Sequence, residues 1–135
     1  MKHLLMLIFL AALGHAAQAE NWVEITSSPD GGVKQFLDID SIERNSGSVE
    51  MWRVFDYKAP YLRQVNRKPY SSQRVHTEFD CPGRAMRQVY FAWHAEPMGK
   101  GELLYQSEYP ETWEIDSFDE FTKPLWKIAC AEFDR

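Results

Sequence analysis

Three stretches of alternating side chains follow one another in the middle of the chain, and they constrain its fold more than any other feature. The first is VEMWRVFDYK, residues 49–58. Side chains of an extended strand point alternately to opposite faces. Met51, Arg53, Phe55 and Tyr57 therefore share one face, and Glu50, Trp52, Val54 and Asp56 the other. Apolar groups stand on both, which predicts a middle strand covered in part on each side. The second stretch, SQRVHTEFDC at 72–81, places Val75, Thr77, Phe79 and Cys81 on one face and Arg74, His76, Glu78 and Asp80 on the other. The third, RAMRQVYFAWH at 84–94, sets Val89, Phe91 and Trp93 against Met86, Tyr90 and His94. Pro82-Gly83 turns the chain between the last two. Such runs in close succession predict the centre of one antiparallel sheet.

Shorter signals extend it. WVEIT (22–26) and VKQFLD (33–38) flank the turn SSPDGG and read as a hairpin. Residues 38–44 form a turn-rich link with room for one helical turn, and Asn45-Ser46-Gly47 a tight turn. Pro60 and Pro69 bound APYLRQVNRKP (59–69), which predicts a long exposed connection. ELLYQS (102–107) is the last strand, and 110–113 is irregular. The tail changes period: Phe118, Phe121, Leu125, Ile128 and Ala129 recur at helical spacing, and Ser117 with Glu120 has capping-box spacing. Pro124 forbids an unbroken helix. A first turn at 117–122 and a short helix at about 123–130 are expected. The fold class is α+β: a single antiparallel sheet with a short C-terminal helix packed on one face.

The N-terminus reads as an export signal. Lys2 precedes the apolar run LLMLIFLAAL, and Ala17-Gln18-Ala19 supplies a small-x-small cleavage site. Residues 1–19 are a signal peptide by this reading, and residues 20–135 one exported domain. The apolar run is too short for a stable membrane anchor. With no cysteine near the cleavage site, neither a transmembrane segment nor a lipid anchor is expected. The expected location is the periplasm or the cell surface. In an oxidising compartment Cys81 and Cys130 are expected to form a disulfide. Zinc binding is a weaker reading, because His76 and His94 are not spaced as ligand pairs with them.

No nucleophile motif, phosphate-binding loop, dinucleotide fingerprint or HExxH motif is present, so no enzyme and no cofactor are expected. The formal net charge is −5, and Lys2 is the one charged residue that leaves with residues 1–19. An acidic domain argues against nucleic acid as a partner. Charge placement is more informative. Between Asp56 and Glu78 stand Lys58, Arg63, Arg67, Lys68 and Arg74, with Tyr57, Tyr61 and Tyr70 interleaved and no acid among them. Tyr61, Arg63, Arg67, Lys68 and Arg74 form a candidate protein-binding surface. Between Lys100 and Lys123 the acids Glu102, Glu108, Glu111, Glu114, Asp116, Asp119 and Glu120 have no base among them. They lack the spacing of a calcium loop. Two solvated surfaces of opposite sign account for the same pattern. An alternative is a periplasmic inhibitor of a secreted enzyme such as lysozyme, with the acidic segment as its contact. The edge strands leave room for a homodimer.

In order along the chain, WVEI, FLDIDSIER, VEMWRVFDYKAP, KPYSSQRVHTEFDCPGRAMR, PMGKGELLYQSEYPETW and LWKIAC resemble the bacterial surface-adhesin protein E-like family. The resemblance implies an antiparallel sheet of about six strands, with a C-terminal helix joined to its concave side by a disulfide. It also implies a non-enzymatic protein-binding role. The family's namesake binds host proteins such as vitronectin and laminin and is lipid-anchored, whereas this chain lacks the anchoring cysteine. The expected partner is a host matrix or serum protein, or a periplasmic protein. The resemblance makes a dimer an expectation as well.

Overall fold

A computed structural model describes residues 20–62 and 68–133; the expected signal peptide and the candidate residues Arg63 and Arg67 lie outside the described residues. The hairpin forms as expected, from β1 (Trp22–Ser27) and β2 (Val33–Asp38). A 3-10 turn at Ile39–Ser41 and the short β3 (Glu43–Asn45) lead into β4 (Ser48–Leu62). Then come β5 (Pro69–Asp80), β6 (Ala85–Glu96), a 3-10 turn at Pro97–Gly99, β7 (Lys100–Ser107), β8 (Glu114–Ile115) and α1 (Thr122–Cys130). Every pairing is antiparallel, in the order β1-β2-β4-β5-β6-β7, with β3 added beside β4 and β8 beside β6.

The sheet thus has eight strands rather than about six. The reason lies in unequal strand lengths. β2 reaches only residues 53–57 of β4, and β7 only residues 91–96 of β6. The first residues of β4 and β6 would otherwise present unpaired backbone groups. β3 pairs with 48–50 and β8 with 85–86, which supplies partners at the start of each strand. Neither added strand is long enough to show alternation in the sequence.

Two irregularities depart from strict alternation. β4 continues through Pro60 to Leu62 and β5 opens at Pro69, so both ends of the expected connection at 59–69 are strand. The ladder to β5 shifts register between Asp56 and Tyr61, and Pro60 falls in that interval, where no ladder donor is needed. In the β5–β6 ladder His76 faces Tyr90 while Thr77 faces Gln88, so Val89 is an inserted bulge residue. The bulge turns Met86 to the face of Phe79 and Phe91, away from Tyr90 and His94 with which simple alternation grouped it.

α1 packs over one end of one sheet face. Leu125, Trp126, Ala129 and Cys130 bury themselves on Leu37, Val49, Met51, Phe79 and Met86. The expected capping residue Ser117 is not the cap. Asp119 is: its Oδ1 accepts from the Phe121 and Thr122 amides at 3.0 and 2.8 Å and from the Thr122 hydroxyl at 2.9 Å. These bonds hold the Asp119 carboxyl below the usual carboxylate range against the opposing effect of partial burial. Pro124 sits in the first helical turn, where its missing N–H has no partner to lose. At the other end Arg44 donates to the Ala129 and Ile128 carbonyls at 2.6 and 2.9 Å. The Cys81–Cys130 disulfide, with Cα atoms 5.4 Å apart, ties the helix to the end of β5.

Candidate functional site

The helix covers only part of its face. Farther along the same strands the face carries Tyr57 on β4, Gln73 on β5 and Phe91 and Trp93 on β6. Tyr105 on β7 lies opposite Trp93. The rings meet in an unbroken series. Tyr57 contacts Tyr61 edge-on at 4.7 Å, Tyr61 stacks near Tyr70 at 5.8 Å, and Tyr70 lies almost parallel to Trp93 at 4.9 Å. Trp93 then meets Tyr105 at 5.0 Å and Phe91 at 5.9 Å. The Tyr57 hydroxyl donates to Gln73 Oε1 at 3.2 Å. Burial among these rings, with Tyr70 and Tyr61 adding to it, raises its pKa well above the ordinary tyrosine value.

The outer members remain accessible. Leu62 is 70% exposed, Tyr61 48% and Tyr105 37%. The strip therefore ends at the β4–β5 hairpin, whose two strands meet at Tyr61–Tyr70 and Leu62–Pro69. Lys68 stands beside it and reaches Glu102 Oε1 at 3.2 Å.

Of the candidate residues read from the sequence, Tyr61 and Lys68 lie together at this hairpin end. Arg74 does not join them. It points to the opposite face of β5, forms an ion pair with Glu20, and lays its guanidinium over Trp52 at 4.9 Å and Trp22 at 5.8 Å. On that face Trp52 also stacks on His76 at 4.6 Å and meets Tyr90 edge-on at 5.4 Å. Burial there lowers the His76 pKa below the ordinary histidine value, against the raising effect of Glu50, Glu43 and Glu78. The turn Pro97–Gly99 folds over the same face. The Met98 amide donates to Asp56 Oδ1 at 2.9 Å and the Gly99 amide to Ser72 Oγ at 2.8 Å. Gly99 takes φ +68 with the Val54 methyl 3.5 Å from where a Cβ would stand.

The acidic run is partly engaged inside the molecule. Glu102 pairs with Lys68, Asp116 binds Arg84 Nε at 2.6 Å, and Asp119 caps the helix. Phe91, Trp93 and Tyr105 were not among the candidates. Their signal was the shared face of Phe91 and Trp93, which reads equally well as core.

An antiparallel sheet with a C-terminal helix clamped to one face by a disulfide, leaving an aromatic strip beside the helix, defines the structural class. The family model for surface-adhesin protein E matches residues 22–131. The chain belongs to the surface-adhesin protein E family. Crystal form II of Haemophilus influenzae protein E is similar in fold, with a TM-score of 0.59 and 16% identity over 85% of this chain and 99% of that one. A second structure of Haemophilus influenzae protein E gives a TM-score of 0.59 at 17% identity, over 82% of this chain and 85% of the other. No curated protein matches the chain. Among the described residues no helix is long and apolar enough to cross a membrane.

Proposed function

We propose that the protein is an exported, non-enzymatic domain that binds a protein partner at the cell surface, a host matrix or serum protein being the class of partner. The contact surface in this reading is the aromatic strip and the end of β4 and β5 beside it: Tyr61 and Tyr105 as anchors and Lys68 as a charged contact, with Arg63 and Arg67 of the intervening sequence as further candidate contacts. Arg74 is left out because it lies on the opposite face. The observation that carries the reading is the exposed end of a connected aromatic series next to the hairpin. Aromatic and arginine side chains supply much of the energy of protein interfaces, because they bury large areas at low entropic cost. Membership of a surface-adhesin family supports the surface location.

Two experiments test it. Protease added to intact producing cells should degrade the protein while periplasmic markers survive. Protection until the outer membrane is opened would refute the surface location. Binding to immobilised matrix proteins should fall at least about tenfold in Tyr61→Ala and in the Arg63→Glu/Arg67→Glu pair, with the melting temperature of each within a few degrees of wild type. Unchanged binding in both variants would remove this surface.

A further inference from the structure

Arg53 stands in the middle of β4, on the helix-bearing face, and is 2% exposed. Its Nε donates to Thr77 Oγ1 and its Nη1 to Gln35 Oε1, each at 2.9 Å. Gln35 is held in turn, its amide nitrogen donating to the Phe121 carbonyl at 2.8 Å and to Thr26 Oγ1 at 3.2 Å. The guanidinium lies 4.9 Å from the Phe55 ring centroid. Among the described ion pairs none involves Arg53. A cation this deep without a direct counter-ion is costly to the fold. Burial lowers its pKa to about 10, with Asp119 the foremost of the groups that oppose the shift.

The third guanidinium nitrogen, Nη2, makes no hydrogen bond to the described residues. Yet among them no fully buried side-chain nitrogen lacks a partner. Nη2 must therefore touch open space. The open space that Arg53 lines is a cavity of about 230 Å³ between the sheet and the start of α1. A single water occupies about 30 Å³ of liquid volume, so the cavity is far larger than one bridging water needs. Its apolar lining comes from Phe55, Met86 and Phe121, and its acids are Glu114 and Asp119. Arg87 also lines it, but its Nε is bound to Glu78 Oε2 at 2.9 Å.

This lining selects among anions. A phosphate would meet the Arg53 guanidinium and an Arg87 already paired with Glu78, against two carboxylates of its own sign. A ligand with one carboxylate, a nearby ammonium and an apolar body meets a complement to each part. We propose that this cavity binds an α-amino acid of about leucine size, its carboxylate on Arg53 Nη2, its ammonium toward Asp119 and Glu114, and its side chain against Phe55, Met86 and Phe121. Thr77 and Gln35 fix the guanidinium before the ligand arrives, which lowers the entropic penalty of binding.

The test uses the purified exported protein and three probes in isothermal titration calorimetry: L-leucine, isoamylamine, which lacks the carboxylate, and 4-methylpentanoate, which lacks the ammonium. L-Leucine should bind saturably at one site. Each truncated probe should bind at least about tenfold more weakly, the effect of losing one charge-assisted contact. Arg53→Lys keeps the charge but loses the fork and should weaken leucine binding by a similar factor. Glu114→Gln, at an exposed position, should weaken leucine binding but not 4-methylpentanoate binding. The proposal is overturned by an absence of saturable leucine binding, by equal affinity for leucine and isoamylamine, or by leucine affinity unchanged in a folded Arg53→Lys variant. The probe comparison on the unmutated protein decides the matter even where Arg53→Lys fails to fold.

Discussion

One sheet face carries two unlike halves. At one end, Leu37, Val49, Met51, Phe79 and Met86 are buried under Leu125, Trp126, Ala129 and Cys130. At the other, Tyr57, Tyr61, Tyr70, Phe91, Trp93 and Tyr105 contact one another in series, and Tyr61 and Tyr105 stay partly exposed. Both halves arise from the same alternation on the same strands. They differ in what the chain places above them. The covered half belongs to folding: its apolar groups face the chain's own helix, and a disulfide limits how far that helix can leave. The open half keeps its rings in contact beyond the reach of the helix, with Tyr61 and Tyr105 partly exposed. An apolar strand residue thus signals burial, while the choice between self-burial and burial by a partner rests on a distant segment of chain.

The contrast is broken most severely at the disulfide. The bridge spans a sequence separation of 49, and the chain-entropy relation for a loop of that length gives about 4 kcal/mol. Replacing Cys81 and Cys130 by alanine should remove stability of that order in guanidinium unfolding and leave the ring contacts of the open half in place. Near-ultraviolet circular dichroism of the folded variant should retain the tyrosine and tryptophan signal. Leu125→Ala comes next. It empties a fully buried position under the helix and should cost about 3 kcal/mol. Tyr105→Ala, in the open half, should cost less, about 2 kcal/mol, because a third of that side chain is already in water and its removal leaves no enclosed cavity. Equal losses for Leu125 and Tyr105 would erase the distinction between the halves.

The smallest effect is one of pH, on the opposite face. The folded protein holds His76 below the ordinary histidine value of 6.5, chiefly by burial beside Trp52. As pH falls through 6.5 the unfolded chain takes up a proton that the folded imidazole still refuses. Stability should therefore decline as pH drops below 6.5 and level off once it has passed the folded pKa. His76→Gln should flatten that part of the curve, as measured by denaturation midpoints at a series of pH values. An identical slope in the variant would assign the decline to other groups.

Much of the architecture is legible in the residues. Alternation in 49–58 and 72–81 identifies the central strands and their faces, and in the latter it turns Cys81 inward with Val75, Thr77 and Phe79, as found. The change to helical spacing after Phe118 locates α1 to within a residue or so. The candidate surface was half legible. Tyr61 and Lys68 do share the hairpin end, but Arg74, close in sequence, was separated from them by the parity of β5. A linear run of basic residues carries no information about which face each occupies until the strand and its bulges are known.

By itself the sequence determined which segments extend, where the chain turns, and that one helix ends at a cysteine able to reach the sheet. Those properties follow from local periodicity, turn chemistry and the redox state of cysteine, none of which requires a neighbour. Only the tertiary structure decided that Val89 bulges and so returns Met86 to the core, that Asp119 rather than Ser117 caps the helix, and that Arg53 sits buried at the floor of a cavity. It also decided that the helix stops short of the aromatic strip. Each of these depends on register between strands or on the docking of a remote segment. Contacts between residues far apart in the chain set such features, and a one-dimensional pattern does not contain them.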